Sequence, residues 1–406
     1  MKRFPIIAIA TIVFAGLFSA QAADLQHLVP PSNPVPPEFF GMHIHHAGDT
    51  TPWPAVPIPA WRLWDAHVTW PDIEPKRGVW RFSLLDRYLS LGAAHDTSLL
   101  LPLGLSPKWA SARPTEKAVF QAGSAAEPAN MQDWRTYVTA VVRHCKGRVS
   151  AYEIWNEPNN KGFWTGDTDQ MIALTREASA IIHSVDSQAL VVSPAATMPT
   201  GVAWLTQFLA RGGGKYVDVV GFHFYVAPLD PEAMVPLVRE VRRAIAEAGV
   251  HDKPLWDTET GWQAPRPFPS DTLAAAYVAR AFILAWAAGV QRFYWYAWDN
   301  HGWVSLQLTE PGNRMLAPAG HAFEGIQQWL SGAELKACDR IANGAWTCET
   351  VRSGSPGWIL WSETAHATIS IPPEWHAHTV VPLLGKVQAV EGPEIQLGPV
   401  PILVRE

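Results

Sequence analysis

The sequence predicts an α/β chain, a (β/α)8 TIM barrel followed by a small C-terminal all-β appendage of sandwich type. Three observations predict it. Eight short, apolar, β-rich runs recur between residues 39 and 298, separated by amphipathic segments of helix length. No Gly-rich phosphate loop follows any of these runs, which counts against the runner-up, an open doubly wound sheet. Beyond about Gly332 the helical periodicity stops, and short runs broken by Gly, Pro and Ser take over.

The N-terminus is read first. Lys2 and Arg3 precede a nearly unbroken apolar run from Ile6 to Phe18, and Ser-Ala-Gln-Ala follows at 19–22. This is the layout of a secretory signal peptide over 1–22. The run is short for a spanning helix, and a single N-terminal anchor is the alternative. A secreted or periplasmic location follows, with no membrane span after cleavage. No cysteine follows the run, so no lipoprotein anchor is expected. Residues 23–38 form a lead-in, extended by the prolines between Val29 and Pro37.

The barrel is placed at 39–331. Its strands are expected at Phe39–His45, Ala60–Trp64, Ser98–Leu103, Ser150–Trp155, Ala189–Ser193, Val217–Tyr225, Pro254–Glu259 and Arg292–Trp298. Between them, Met171, Leu174, Ala178, Ile181, Ile182 and Val185 step mostly by three and four and share one helix face. Pro231 to Gly249 reads as a helix opened by Pro and closed by Gly, and Ser270 to Gly289 ends the same way.

The β unit is placed at 332–406, with strands at Trp346–Val351, Trp358–Ser362, Ala367–Ile371, Thr379–Leu384 and Pro401–Val404. It is expected to pack on the barrel as a buttress. Cys338 and Cys348 flank a segment that can turn back as a hairpin, and in an exported protein they suit a disulfide. Cys145 is left over on a helix and is expected to be buried.

Composition narrows the function. An apolar fraction of 48% supports a sizeable core, and a net charge of −6 excludes a basic nucleic-acid-binding surface. The 21 tryptophans either fill that core or stack on sugar faces. No cofactor is implied, and a monomer is expected.

In a barrel the site lies at the C-terminal ends of the strands. The fourth strand ends Tyr152-Glu-Ile-Trp-Asn-Glu157-Pro and the seventh Trp256-Asp-Thr-Glu259-Thr-Gly-Trp. A carboxylate pair is what glycosidic cleavage requires: one acid protonates the leaving oxygen, and one carboxylate attacks or activates water. Glu153 and Asp257 share strand parity with these glutamates and are read as structural, Glu153 partnered by Arg62 or His223. His43, His45 and His46 permit a metal reading, with His43 and His45 on one face, but no third ligand is placed beside that pair. His45 also suits a sugar hydroxyl.

Trp155-Asn156-Glu157-Pro158 on strand four, with a glutamate ending strand seven, resembles clan A of the glycoside hydrolases. Phe40-Gly-Met-His-Ile-His, Arg62-Leu-Trp-Asp, Pro107-Lys-Trp-Ala, His223-Phe-Tyr225 and Trp298-Asp are most similar to family 39 and to relatives that trim bacterial exopolysaccharides. The resemblance implies a retaining β-glycoside hydrolase with Glu157 as acid/base and Glu259 as nucleophile. It implies that Asn156 bonds the sugar 2-hydroxyl, that Tyr225 bonds the nucleophile and that Arg62 orients and charge-balances it. Trp298 becomes the floor under the reacting sugar, and His223 a further site residue. Carboxyl groups about 5–5.5 Å apart are expected for retention. Trp262, Phe163 with Trp164, Trp303, and the loop from Arg113 to Asn130 would rim the same face.

The expected partner is a β-linked glycan, an exopolysaccharide or a plant glycan. Two other readings use the same residues: a barrel that binds glycan without cutting it, and a transglycosylase.

Overall fold

The computed structural model describes residues 26–263, 266–341, 343–364 and 367–406. The signal-peptide reading over 1–22 lies outside the described residues.

Eight parallel strands form the barrel: β1 (Phe40–His43), β2 (Ala60–Arg62), β3 (Ser98–Leu103), β4 (Ala151–Ile154), β5 (Leu190–Val192), β6 (Val220–His223), β7 (Leu255–Gly261) and β8 (Val290–Tyr296). They follow the sheet order β5-β4-β3-β2-β1-β8-β7-β6, with a two-residue strand, Ala196–Thr197, at the β6 edge. The ring closes between β5 and β6 through the parallel bridge of Val192 with Val219 and the bond from Ser193 N–H to Val219 O (2.9 Å). Each strand lies inside its expected run apart from small shifts at the ends, the largest being β7 and β8.

Helices follow seven of the strands: Ser83–Ala94, Met131–Cys145, Thr168–Val185, Met198–Ala210, Met234–Glu247, Asp271–Ala287 and Pro318–Leu330. The first crossover departs from the expected alternation. Residues 44–59 join β1 to β2 with no helix, and Pro52, Pro54, Pro57 and Pro59 remove the N–H groups a helix would need. Val56 and Ile58 are buried there and seal the gap. Helix ends match their chemistry: the Ser270 side chain caps Asp271–Ala287, and Gly249 and Gly289 close their helices at φ 70° and 92°.

The barrel interior is built in layers. Ala60, Leu100, Ala151, Val192, Val219, Trp256 and Tyr294 form one apolar cluster. Two residues on, by strand parity, Arg62 and Glu153 point into the same interior, and both are fully buried. Gly41 makes room for this packing, because a Cβ there would sit 2.5 Å from the Tyr294 ring.

The β unit draws strands from both ends of the chain. Its seven-stranded sheet starts with Gln26–Leu28, which lies in the lead-in and pairs antiparallel with Glu334–Arg340. Pairing, not proline alone, therefore orders that segment. A two-stranded sheet, Ala367–Ser370 with Glu394–Leu397, covers the outer face. Strand Ser355–Ser362 serves both faces: Ile359 and Trp361 join the barrel core, whereas Trp358 and Leu360 join the outer cluster. Trp361 Nε1 donates to Glu232 on the barrel (2.9 Å), and Glu232 pairs with Arg280 (3.2 Å). No helix among the described residues is long and apolar enough to cross a membrane.

Cys338 and Cys348 are cross-strand partners and are disulfide-bonded, whereas Cys145 is free and buried. Reducing the disulfide is expected to lower stability by about 2–3 kcal/mol, the chain entropy of a short loop. Denaturant unfolding with and without reductant measures this, and an unchanged midpoint would exclude such a contribution.

Candidate active site

Strand β4 ends in an unusual turn. Trp155 and Glu157 have φ of 65° and 43°, in the left-handed region that non-glycine residues seldom occupy. Neighbouring bonds hold the turn there. Trp155 N–H donates to Leu103 O (2.7 Å), and Glu157 N–H donates to Ala195 O (2.9 Å). Trp155 Nε1 reaches Phe163 O (2.7 Å), which ties the following loop to the turn. The twist brings Asn156 and Glu157 side by side to the mouth of the barrel.

A cavity of about 900 Å³ opens at that mouth. Asn156, Glu157 and Glu259 line it, as do His45, Tyr296 and Asp299. One carboxylate oxygen each of Glu157 and Glu259 and one ring nitrogen of His223 lie within 4.8 Å of one another.

Arg62 organises the floor. Its Nη1 donates to Glu259 Oε2 (2.8 Å), its Nε to Glu153 Oε2 (2.7 Å) and its Nη2 to Asn156 Oδ1 (2.7 Å). A guanidinium has donors only, so the Asn156 carbonyl faces Arg62 and its NH2 is left for the cavity. Tyr225 donates to the other oxygen of Glu259 (3.0 Å). Glu157 has looser company: His223 Nδ1 at 3.1 Å and Asn160 Nδ2 at 3.4 Å.

These partners separate the two acids. Burial pushes both carboxyls above the ordinary glutamate range. At Glu259 the neighbouring His223 and the Arg62 guanidinium oppose that push, and Arg62 and Tyr225 each donate to one of its oxygens. Burial lowers His223 to about 4, so its ring is neutral near pH 7 and adds no full positive charge beside Glu157. Glu259 is thus the more strongly bonded of the two acids, and Glu157 the less.

The remaining residues sort into three positions. His45 lines the cavity, and Asp299 accepts from its backbone N–H (2.9 Å) while facing its Nδ1 (3.2 Å). Burial works against ionisation of Asp299, but bonds from His45 and Thr51 outweigh it and hold the acid down to about 2. Arg62, His223 and Tyr225 stand behind the cavity wall and act through the glutamates. Trp298 and Trp262 are not brought into the cavity. Strand β8 stops at Tyr296, and Trp298 lies beyond it, its N–H on His43 O (2.9 Å) and its ring buried. Tyr296 occupies the cavity wall instead and donates to Asp65 Oδ2 (2.6 Å). Trp262 is 6% exposed, packs on Phe268 and Tyr277, and donates to Arg266 O (2.6 Å), which makes it core beneath the loop.

Tyr296 had no motif to mark it, and Asp65 lay within the quoted run Arg62-Leu-Trp-Asp without being given a role. Asp65 follows Arg62-Leu-Trp64, and Tyr296 is two residues before Trp298, so parity on β8 was the available signal. Of the rim aromatics, Phe163 and Trp303 line the cavity, whereas Trp164 is fully buried. A separate recess of about 760 Å³, lined by Arg113, Trp204 and Arg211 among others, contains neither glutamate.

The donor set does not suit a cation. Glu157, His223 and Glu259 converge, but both oxygens of Glu259 already accept hydrogen bonds, one of them from a guanidinium. His43 is buried with Nε2 on Thr258 O (3.1 Å), where only an N–H can bond, and His43, His45 and His46 form no ligand cluster among the described residues.

The chain is similar to known proteins in sequence and in fold. Residues 63–296 match the model of the glycosyl hydrolases family 39. The chain is 27% identical over 229 residues to a β-xylosidase of Geobacillus stearothermophilus, covering 50% of this chain and 45% of that protein. A β-xylosidase of Caldicellulosiruptor saccharolyticus is 26% identical over 225 residues, covering 50% and 44%. The chain thus spans a little under half the length of these relatives. Among solved structures, a family 39 glycoside hydrolase from Bacteroides cellulosilyticus WH2 superposes with a TM-score of 0.74 at 17% identity, covering 91% of this chain and 81% of that one. A monomeric β-xylosidase from Caulobacter crescentus CB15 gives 0.68 at 17%, covering 92% and 97%.

Removing Arg62 leaves two buried carboxylates without their shared cation. Arg62→Met is expected to destabilise the fold by about 3–5 kcal/mol, and adding Glu153→Met to it should recover part of that loss. Denaturant unfolding of the single and double variants reads both quantities. A double variant no more stable than the single would show that Arg62 and Glu153 do not act as a pair.

Proposed function

The chain belongs to glycosyl hydrolases family 39, and from that premise we propose that it is a retaining β-glycosidase. The observation that carries the reading is the unequal bonding of two carboxylates whose nearest oxygens lie within 4.8 Å. An inverting pair stands about 6.5–9.5 Å apart to admit a water between acid and sugar. Oxygens of the two acids within 4.8 Å of one another leave little room for such a water, which supports direct attack by one carboxylate.

Glu259, ionised against Arg62 and Tyr225, attacks the anomeric carbon. Glu157 gives its proton to the glycosidic oxygen as the carbon–oxygen bond breaks, and a glycosyl ester on Glu259 results. Esterification removes the negative charge from Glu259. The repulsion that held the proton on Glu157 falls with it, and Glu157 ionises. It then takes a proton from water, whose oxygen attacks the same carbon and frees Glu259. Asn156 offers its NH2 to the sugar hydroxyl beside the scissile bond, His45 offers its ring to another hydroxyl, and Tyr296 walls the reacting ring.

The substrate is proposed to be a β-linked pyranoside within an oligo- or polysaccharide. The names of the β-xylosidase relatives make xylosides the first choice, and a bacterial exopolysaccharide is the second. The protein is proposed to act as a monomer, outside the cytoplasm. The apolar run at Ile6–Phe18 and the disulfide support that location.

A panel of aryl β-glycosides and glycans is expected to yield at least one substrate cleaved with retention, visible by NMR of the first-formed product. Glu259→Ala and Glu157→Ala should each lose at least about a thousandfold in activity. Azide should rescue Glu259→Ala to an α-glycosyl azide and Glu157→Ala to a β-glycosyl azide. Near-normal hydrolysis by either variant would remove the assignment.

The pH profile follows from the same pair. The acidic limb of kcat/KM reports loss of ionised Glu259, and the basic limb reports loss of the Glu157 proton. Burial raises both, so both limbs should lie above the ordinary glutamate range. On a substrate with an activated leaving group, Glu157→Gln should abolish the basic limb, and persistence of that limb would assign it to another group.

A further inference from the structure

Three rings cluster on one side of the cavity with no role in the steps above. Trp64 follows β2, Phe120 lies on the loop after β3, and Phe163 lies on the loop after β4. Their centroids are 5.6 Å (Trp64–Phe120), 6.0 Å (Trp64–Phe163) and 6.0 Å (Phe120–Phe163) apart, and all three line the cavity. Trp64 is 3% exposed and lies under the Arg62 guanidinium at 5.6 Å, so it forms the base of the cluster. Phe120 is 49% exposed.

The cluster is fixed to the acid/base. Phe163 N–H donates to Asn160 O (2.9 Å), and Asn160 Nδ2 reaches Glu157 Oε2 (3.4 Å). Val119, the neighbour of Phe120, donates its N–H to Gly162 O (3.1 Å). Gly162 is required for that approach, since a Cβ there would fall 2.6 Å from Val119 Cγ2. The two loops are thus pinned together beside Glu157.

A general acid faces the oxygen it protonates, and the departing group lies on the far side of that oxygen. We infer that Phe120 and Phe163, backed by Trp64, form a platform for the leaving group and accept the apolar face of a second pyranose or of an aromatic aglycone. This rests on the glycosidase reading above and adds what that reading leaves open, namely where the departing half of the substrate binds. The half-exposure of Phe120 then reflects a face kept open for a ring to stack on. Cleavage is accordingly favoured for substrates with a ring on the leaving side, such as disaccharides or aryl glycosides.

The test compares two donors of one sugar, the glycosyl fluoride and the 4-nitrophenyl β-glycoside, beginning with xylose and using the sugar found by the panel. The fluoride has the same glycone and no ring to stack. Phe120→Ala is expected to lower kcat/KM on the aryl glycoside about five- to tenfold, the scale of one lost aromatic contact. It should leave kcat/KM on the fluoride within about twofold, and Phe120→Tyr should restore the aryl value. Equal losses on both donors would mean that Phe120 only braces the loops, and no loss on either would make it a bystander; either result overturns the platform. A wild-type protein that cleaves no member of the panel would overturn the glycosidase reading first, and the inference with it.

Discussion

A guanidinium enclosed in a barrel must be neutralised where it lies, because water cannot reach it to do so. Arg62 meets that constraint with Glu153 deeper in the barrel and Glu259 nearer the mouth, and its remaining donor goes to Asn156. Three strands and the turn after β4 are coupled through this one side chain. The same charge that satisfies the buried Glu153 also favours the charged form of Glu259 against the effect of burial, so a structural requirement of the interior bears on the electrostatics of the site. Small residues beneath, Ala60 and Ala151 among them, leave the volume in which the arginine fits.

The second constraint is backbone conformation after β4. Glu157 can stand beside Glu259 only because Trp155 and Glu157 accept left-handed φ values, and such strain persists only where neighbours over-determine it. Leu103 O, Ala195 O and Phe163 O supply that support. The loop bearing Phe163 is thereby tied to the same turn as the acid. Hydrogen bonds thus join Glu157, the loop bearing Phe163 and the cavity wall, which is the kind of pre-organisation the proposed proton transfer requires.

The β unit lies away from the cavity and acts through packing. Its inner face shares a continuous core with the barrel helices, and the bond from Trp361 to Glu232 meets Arg280 on the largely buried Asp271–Ala287 helix. The strand Gln26–Leu28 stitches the N-terminal lead-in to this sheet. The proline run did not disclose that pairing, since a three-residue strand has almost no periodicity and owes its conformation to the partner strand.

The sequence by itself determined the local matters. The eight runs, the Gly and Pro helix ends, the hairpin between Cys338 and Cys348 and the two glutamates at strand ends were all legible, because each depends on residues a few positions apart. The partner of Glu153 was legible as a choice between Arg62 and His223, since parity placed Glu153 in the interior, where a carboxylate needs a partner. The role the resemblance implied for Trp298 does not hold, because Trp298 lies past the end of β8 and Tyr296 takes the cavity wall. Trp262 likewise turned inward to the core, as did most of the tryptophans. Which aromatic ring faces a cavity depends on how strands end and loops pack, and these are contacts between residues far apart in the chain. Tertiary structure alone therefore decided the first crossover without a helix, the unequal hydrogen bonding of Glu157 and Glu259, and the rings that surround them.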